Sequence, residues 1–255
     1  MTDWAIAATP PRWRRWLLAE TPQSRLQARL SRAYLSWVAF ARNPLGMLGL
    51  VIVTVLVFLA LFAPWVAPHN PLAGDLGYRL LPPGGEHWLG TDQQGRDIWS
   101  RIIYGSRTTL LIIFMVAITA APVGIIIGAS AGYVGGKTEA VLMRLTDAFL
   151  AFPKLVLALA FAAALGPGIE NAVIAIALTA WPPYARLARA ETLTSRRAEF
   201  IQAAELQGAS HLRIIATQIV PLCLPSVIIR LTLDMAGIIL TAAGLGFLYG
   251  MFTRR

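Results

Sequence analysis

The sequence predicts an all-α protein that crosses a membrane several times, on three observations. Of its 255 residues, 56% are hydrophobic and 14% are charged, where a soluble domain carries about 25% charged residues. The mean hydropathy is +0.61. The apolar residues are gathered into uncharged runs, several long enough for a helix to cross a bilayer, with Pro- and Gly-rich polar stretches between them. That much apolar surface needs lipid as its solvent. One membrane-embedded domain is the economical count.

The formal net charge of +9 raises nucleic acid as a partner. The distribution argues against it. The arginines collect in segments between apolar runs, which is the positive-inside pattern of cytoplasmic loops. The expected partner is the lipid bilayer, and no nucleic acid. Cys223 is the single cysteine and lies in an apolar stretch; no intrachain disulfide or cysteine metal cluster can form, and a buried, inert thiol is expected. No apolar stretch with a small-residue cleavage site precedes Leu45, so no cleavable signal peptide is expected.

Residues 1–43 read as a cytoplasmic amphipathic region. Arg12, Arg14, Arg15, Arg25, Arg29, Arg32 and Arg42 face only Asp3 and Glu20 there. Leu26, Leu30, Tyr34, Trp37 and Ala41 recur at helical spacing, and Trp13, Trp16 and Trp37 suit the headgroup level. An unstructured basic tail is the alternative, chiefly before Pro22. The first span is expected over 44–67, its uncharged core from Leu45 to Trp65 being long enough for about 30 Å of helix.

A polar segment, 68–107, follows. In its Pro68–Tyr104 stretch Asp75, Glu86, Asp92 and Asp97 outnumber Arg79, Arg96 and Arg101, which fits the outer side. The second span is expected over Thr108–Val134. Its Gly124, Gly128 and Gly132, with Gly136, repeat every four residues and stack on one face, either for close helix packing or as a hinge. A third span is expected over Leu145–Leu165 with Pro153 inside, and a short fourth from Ile169 to Trp181 after the turn Gly166-Pro167-Gly168. The polar section 184–221 holds Arg186, Arg189, Arg196, Arg197 and Arg213, a second cytoplasmic concentration of arginine. The fifth span is expected from Leu222 to Leu248. Five spans from an inner N-terminus would leave Arg254 and Arg255 outside, where arginines translocate poorly.

Several suggestive features carry no chemistry. Gly136-Lys137-Thr138 imitates the end of a phosphate-binding loop, but Ala131 stands where the first glycine belongs and an apolar helix, not a strand, precedes it. His69, His87 and His211 are scattered, without metal-ligand spacing, so no metal site is expected. No Ser/His/Asp set or inward carboxylate pair stands out. No catalytic residue is expected and the chain is not read as an enzyme.

Two stretches are informative. The first is Glu199 to Gly208, EFIQAAELQG, continuing to Pro221. Ala203 and Ala204 would let a short helix seat deeply in a partner's groove, and Gly208 allows a turn that a side chain would hinder; an ordinary polar inter-helix loop is the bland alternative. The stretch resembles the cytoplasmic EAA loop of ABC-importer permeases. Ala203, Ala204, Gly208 and Pro221 match that pattern, Gln202 replaces its first Glu, and Gln218 and Val220 stand at its usual Ile and Leu positions.

The second stretch is His87 to Arg101, HWLGTDQQGRDIWSR, with YGSR at Tyr104 to Arg107. It resembles the signature that follows the first helix in the C-type permease of dipeptide, oligopeptide and nickel ABC importers. Trp181 to Arg189 and Asp147 to Pro153 fit the same family, and the resemblance covers about Pro44 to Phe247.

The resemblance implies the type I ABC importer permease fold, with five of the usual six transmembrane helices, in a bacterial inner membrane with the N-terminus cytoplasmic. It implies a transporter subunit importing dipeptides or oligopeptides, with nickel or another small solute as the alternative. The implied partners are a homologous B-type permease, two ATP-binding subunits and an extracytoplasmic substrate-binding protein. No cofactor is expected on this chain, since ATP and Mg would sit on the partner subunits. Coupling to the ATPases would fall to Gln202, Ala203, Ala204, Gly208 and Pro221. In the outer motif of Gly90, Thr91, Asp92, Gly95, Arg96 and Asp97, the charged members either pair and cap helix ends or touch substrate. From 249 to 255 the sequence departs from the family, so a truncated, non-transporting copy is also considered. Finally, Arg230 and Asp234 lie four apart on one face of the fifth span, forming either an intramembrane ion pair or a pathway-lining site for charged substrate ends. Lys154 poses the same question unless its stem merely snorkels.

Overall fold

The computed structural model describes Trp16, Leu17 and residues 24–252, with side chains to Gly246. Trp13, Arg12, Arg14 and Arg15 with most of the segment before Ser24, and Arg254 and Arg255, lie outside the described residues. Regular structure among the described residues is entirely helical, apart from one isolated bridge between Thr91 and Asp97. The chain divides into two units, 1–66 and 67–255.

In the first unit α1 spans Arg25–Ala41 and α2 spans Pro44–Leu61, followed by the short α3, Ala63–Val66. Ser24 caps α1 by accepting the Gln27 N–H at 3.1 Å. Asn43 separates α1 from α2, accepting the N–H groups of Leu45 and Gly46, and Pro44 fills the first turn of α2 where its missing N–H is not needed. Leu26, Leu30 and Trp37 form the apolar side of α1 and are exposed within this unit, as are most side chains of α2.

In the second unit α4 spans Ile98–Val134, α5 Gly136–Leu150, α6 Lys154–Leu165, α7 Ile169–Ala180, α8 Pro182–Ser195, α9 Glu199–Leu206, α10 His211–Ile214 and α11 Val220–Phe252. A π-helical turn, Ile215–Ile219, joins α10 to α11. α4 begins at Ile98, earlier than the Thr108 the apolar run suggested, because Asp97 caps the chain there by accepting the Ser100 N–H at 2.8 Å. Helical 98–107, with Arg101 and Arg107, therefore belongs to α4 and not to the preceding loop.

The glycines of α4 are packing positions. A Cβ on Gly124 would stand 2.5 Å from Tyr184 Cβ, on Gly128 2.1 Å from the Ala185 carbonyl, and on Gly132 2.7 Å from Thr192 Cβ. Three helical turns of α4 thus lie backbone-close to α8. Helices in lipid gain no hydrophobic drive from burial, so this close packing is what holds them. Gly136 is not part of the stripe: α4 has ended, and a Cβ there would meet nothing within 4 Å. Ile113, Val116, Ile176, Trp181, Tyr184 and Ile238 are among the side chains that complete a core shared by α4, α7, α8 and α11.

Length and composition give three membrane-crossing helices: Pro44–Leu61, Ile98–Val134 and His211–Gly246. A fourth results if α5 and α6 count as one span bent by 91°. The expected third span is this bent pair, broken because Pro153 disfavours helical backbone at Phe152 and supplies no N–H. The expected fourth, α7, is 12 residues, about 18 Å of helix. It is followed directly by α8 through Trp181, whose backbone is itself helical (φ −69, ψ −30). Pro182 and Pro183 sit in the first turn of α8, so they start a helix there.

Candidate functional site

The region between α8 and α11 is built on α9. Ile201 is fully buried and, with Ala129, Ala188, Ile214, Ile215, Ile219 and Cys223, forms a small second core against which Ala204 also packs. Ala204 is thus small for the sake of this subunit's own packing, whereas Gln202 and Ala203 face outward. Phe200 and Leu206 are exposed beside them, Leu206 at 90%. Gln202 donates from Nε2 to the Arg197 carbonyl at 3.0 Å. Gly208 ends the helix with φ +76, its N–H bonded to the Glu205 carbonyl and that of Ala209 to the Ala204 carbonyl. The left-handed backbone is the demand for glycine here, since a Cβ would meet nothing.

Two bonds tie this region to the C-terminal end of α4. The Tyr133 hydroxyl donates to Glu205 Oε1 at 2.6 Å, and Arg196 Nη1 donates to the Gly132 carbonyl at 3.1 Å. On the other side Pro221 stands in the first turn of α11. It has no N–H for the helical bond to residue 217, and the chain before it is π-helical, the Val220 N–H reaching back to the Ile215 carbonyl. α9 is therefore anchored to α4 by side chains and to α11 through a short continuous backbone. Neither Tyr133 nor Glu205 stood out in the sequence; their positions, 72 apart, gave no signal.

The motif before α4 is knotted by side-chain hydrogen bonds to backbone. Thr91 is buried; its hydroxyl accepts the Leu81 N–H at 2.8 Å and donates to the Tyr78 carbonyl. Asp92 accepts the N–H groups of Gln94 and Arg96 and pairs with the guanidinium groups of Arg96, at 2.8 Å, and of Arg101. Burial alone would raise the Asp92 carboxyl; the bonds from Arg96 and Gln94 override it and hold the group down to about 2. Asp97, 1% exposed at its side chain, meets the same opposition of burial and hydrogen bonds, from Ser100 and His87, and is also lowered. Gly90 and Gly95 have positive φ, and a Cβ on Gly95 would collide with the Asp75 carbonyl. All six residues expected as an outer motif are thus in one knot. So are two of the histidines that look scattered in sequence: His87 Nδ1 lies 3.0 Å and His69 Nδ1 3.9 Å from Asp97 carboxylate oxygens.

A third polar group lies on α11. Arg230 Nε donates to Asp234 Oδ2 at 3.0 Å. Lys154, at the start of α6, is within electrostatic reach of both, and Tyr184 of α8 is within reach of Asp234. The Tyr184 hydroxyl is enclosed and makes no full hydrogen bond among the described residues. Lys154 thus lies in the electrostatic range of the Arg230–Asp234 pair, with no ion pair to it among the described residues, and Tyr184, which looked like part of a loop motif, lies in range of Asp234. Nearby, Arg189 pairs with Glu139 and Arg186 with Asp147 at 2.6 Å, fastening α8 to α5.

Known proteins resemble the chain in the same regions. Residues 124–254 match the family described as binding-protein-dependent transport system inner membrane component. Residues 31–83 match the N-terminal TM domain of oligopeptide transport permease C. The chain is 41% identical over 222 residues to the probable D,D-dipeptide transport system permease protein DdpC of Escherichia coli, covering 87% of this chain and 74% of that protein. It is 43% identical over 219 residues to the di/tripeptide transport system permease protein DppC of Pseudomonas aeruginosa, covering 83% and 72%. It is 39% identical over 201 residues to the nickel transport system permease protein NikC of Escherichia coli, covering 79% and 73%. The first match extends past Phe247, where the resemblance read from motifs ended, and α11 runs on to Phe252. With an all-helical, membrane-spanning fold and matches over both units, the chain belongs to the binding-protein-dependent transport system inner membrane components, as a multi-pass permease subunit of the C type.

Proposed function

We propose that this chain is the C-type permease of an ATP-driven importer of dipeptides or oligopeptides, and that α9 is the helix through which partner ATPases drive it. One observation carries the coupling role. α9 presents Phe200, Ala203 and Leu206 outward while Ile201, Tyr133–Glu205 and the α10–α11 connection fix it to the spanning helices. A short helix gripped from behind and apolar in front is suited to receive a push and pass it to α4 and α11. Ala203 gives close approach, Gln202 and Ala204 fix the helix, Gly208 ends it, and Pro221 sets its link to α11.

In this reading the α9 end of α4 faces the cytoplasm, as does the N-terminus, and the knot before α4 faces out. A homologous B-type permease lies alongside, two ATP-binding subunits dock below with ATP and Mg, and a substrate-binding protein delivers from outside. The intramembrane charges support a peptide cargo, once substrate ends compete with the Arg230–Asp234 pair. Lys154 and Arg230 offer cations for a carboxylate and Asp234 an anion for an ammonium group, which are the two ends of a free peptide. The expected test is reconstitution of the complete importer in proteoliposomes. ATP-dependent uptake of labelled dipeptide, reduced by Arg230→Gln more than by a change at Leu145, supports the reading. Uptake of radiolabelled nickel with none of dipeptide assigns the cargo otherwise.

A further inference from the structure

Three side chains able to ligate a metal converge before α4, from segments well separated in sequence. His69 follows the start of the second unit, His87 lies in the loop after Pro83, and Asp97 caps α4. Their candidate ligand atoms all lie within 4.8 Å of one another. Donors bound to one ion at about 2.0–2.2 Å stand roughly 3–3.5 Å apart. His87 Nδ1 lies 3.0 Å from Asp97 Oδ1 and already meets this; His69 Nδ1 lies 3.9 Å from the other oxygen, Oδ2, so its ring has to close towards Oδ1 to share the ion. His69 is 41% exposed at its side chain, so its ring can make that closure, and its open side leaves room for water as a further ligand.

We propose that His69, His87 and Asp97 form a site for a divalent transition metal of the zinc class, clipping the 69–87 segment to the start of α4. Two imidazoles and one carboxylate suit zinc-like ions over calcium or magnesium. Ligation and capping are compatible. Asp97 Oδ2 accepts the Ser100 N–H, while Oδ1 faces His87 Nδ1 at 3.0 Å, where an ion can replace the shared proton. The backbone is already placed for it: the His69 N–H donates to Ser100 Oγ at 3.2 Å. His69 is held there by its N–H bond to Ser100 Oγ and by its ring lying against that of His87, centroids 4.7 Å apart, which keeps its Nδ1 at hand for an ion. The site concerns a resident ion and does not depend on which solute is transported.

The test is a zinc titration of the full chain in nanodiscs against a chromophoric chelator near neutral pH. The expected result is one zinc per chain, with affinity weakened more than about tenfold in each of His69→Ala, His87→Ala and Asp97→Asn. Asn caps a helix as well as Asp, so Asp97→Asn separates ligation from folding, and circular dichroism checks that each variant stays helical. Zinc should raise the melting temperature of the parent chain and not of Asp97→Asn. Binding that is unchanged in all three variants, or no tighter in the parent than in His69→Ala/His87→Ala, overturns the proposal.

Discussion

The two polar regions at opposite ends of α4 are held in different ways. Before α4, Thr91, Asp92 and Asp97 bond to backbone groups a few to a dozen residues away, and Asp92 gathers Arg96 and Arg101, so the segment is bound to itself. After α8, α9 bonds little to itself beyond its own helix and much to others, through Ile201, Ala204 and the Tyr133–Glu205 bond. Bare apolar surface does not separate them, since Leu72 and Leu76 are as open as Leu212. The anchoring does. A self-bound knot resists force, whereas a helix fixed to two long helices hands force on.

That contrast can be broken most severely at Leu206. Leu206→Asp should cut ATP-dependent uptake by at least about thirtyfold, on the scale of an interface hot spot. It should leave the melting temperature unchanged, because the side chain is 90% exposed. Before α4 the opposite pattern is expected. Asp97→Ala removes a cap and strands its partners, costing about 1–3 kcal/mol in thermal unfolding, with any loss of uptake following from lost stability. Gly208→Ala forces a side chain into left-handed backbone and should cost roughly 1–2 kcal/mol, read as a lowered melting temperature and weaker ATPase association.

Tyr133→Phe removes one tether only, worth about 1 kcal/mol. It should lower uptake per ATP hydrolysed while ATPase association persists; unchanged coupling would show that the tether passes no force. The smallest effect is that of acid on the knot. Asp92 is depressed in the folded chain to about 2, below its unfolded value near 3.9. Its contribution is thus present above about pH 4 and lost as pH falls from there towards 2. Asp92→Asn should flatten that part of the acid-unfolding curve.

Much of this organisation was legible in the sequence, for reasons local to each element. The uncharged run after Leu45 needed a helix in lipid, the spacing of Gly124, Gly128 and Gly132 needed a close neighbour, and Gly208 marked the end of α9. What was not legible depended on distant contacts or on a single cap. Arg101 and Arg107 read as loop residues because they are charged, and only Asp97 as N-cap places them in α4. Pro153 lies inside an apolar run that read as one span, yet the chain turns there by 91°. The fourth span was expected to stop at Trp181, and the two prolines after it open α8. The convergence of His69 with His87, and of Tyr133 with Glu205, arises from folding over long sequence separations and has no local signature.

The central claim is that α9 is the surface a separate ATP-binding subunit pushes, and cross-linking tests it most directly. Leu206→Cys and, as its counterpart, Leu72→Cys would each be placed in the assembled importer, the native Cys223 being fully buried, and treated with a short thiol–amine cross-linker. The account predicts a covalent adduct between this chain and the ATP-binding subunit from Leu206→Cys and none from Leu72→Cys. An adduct from Leu72→Cys with none from Leu206→Cys would place the motor at the other end of α4 and contradict it.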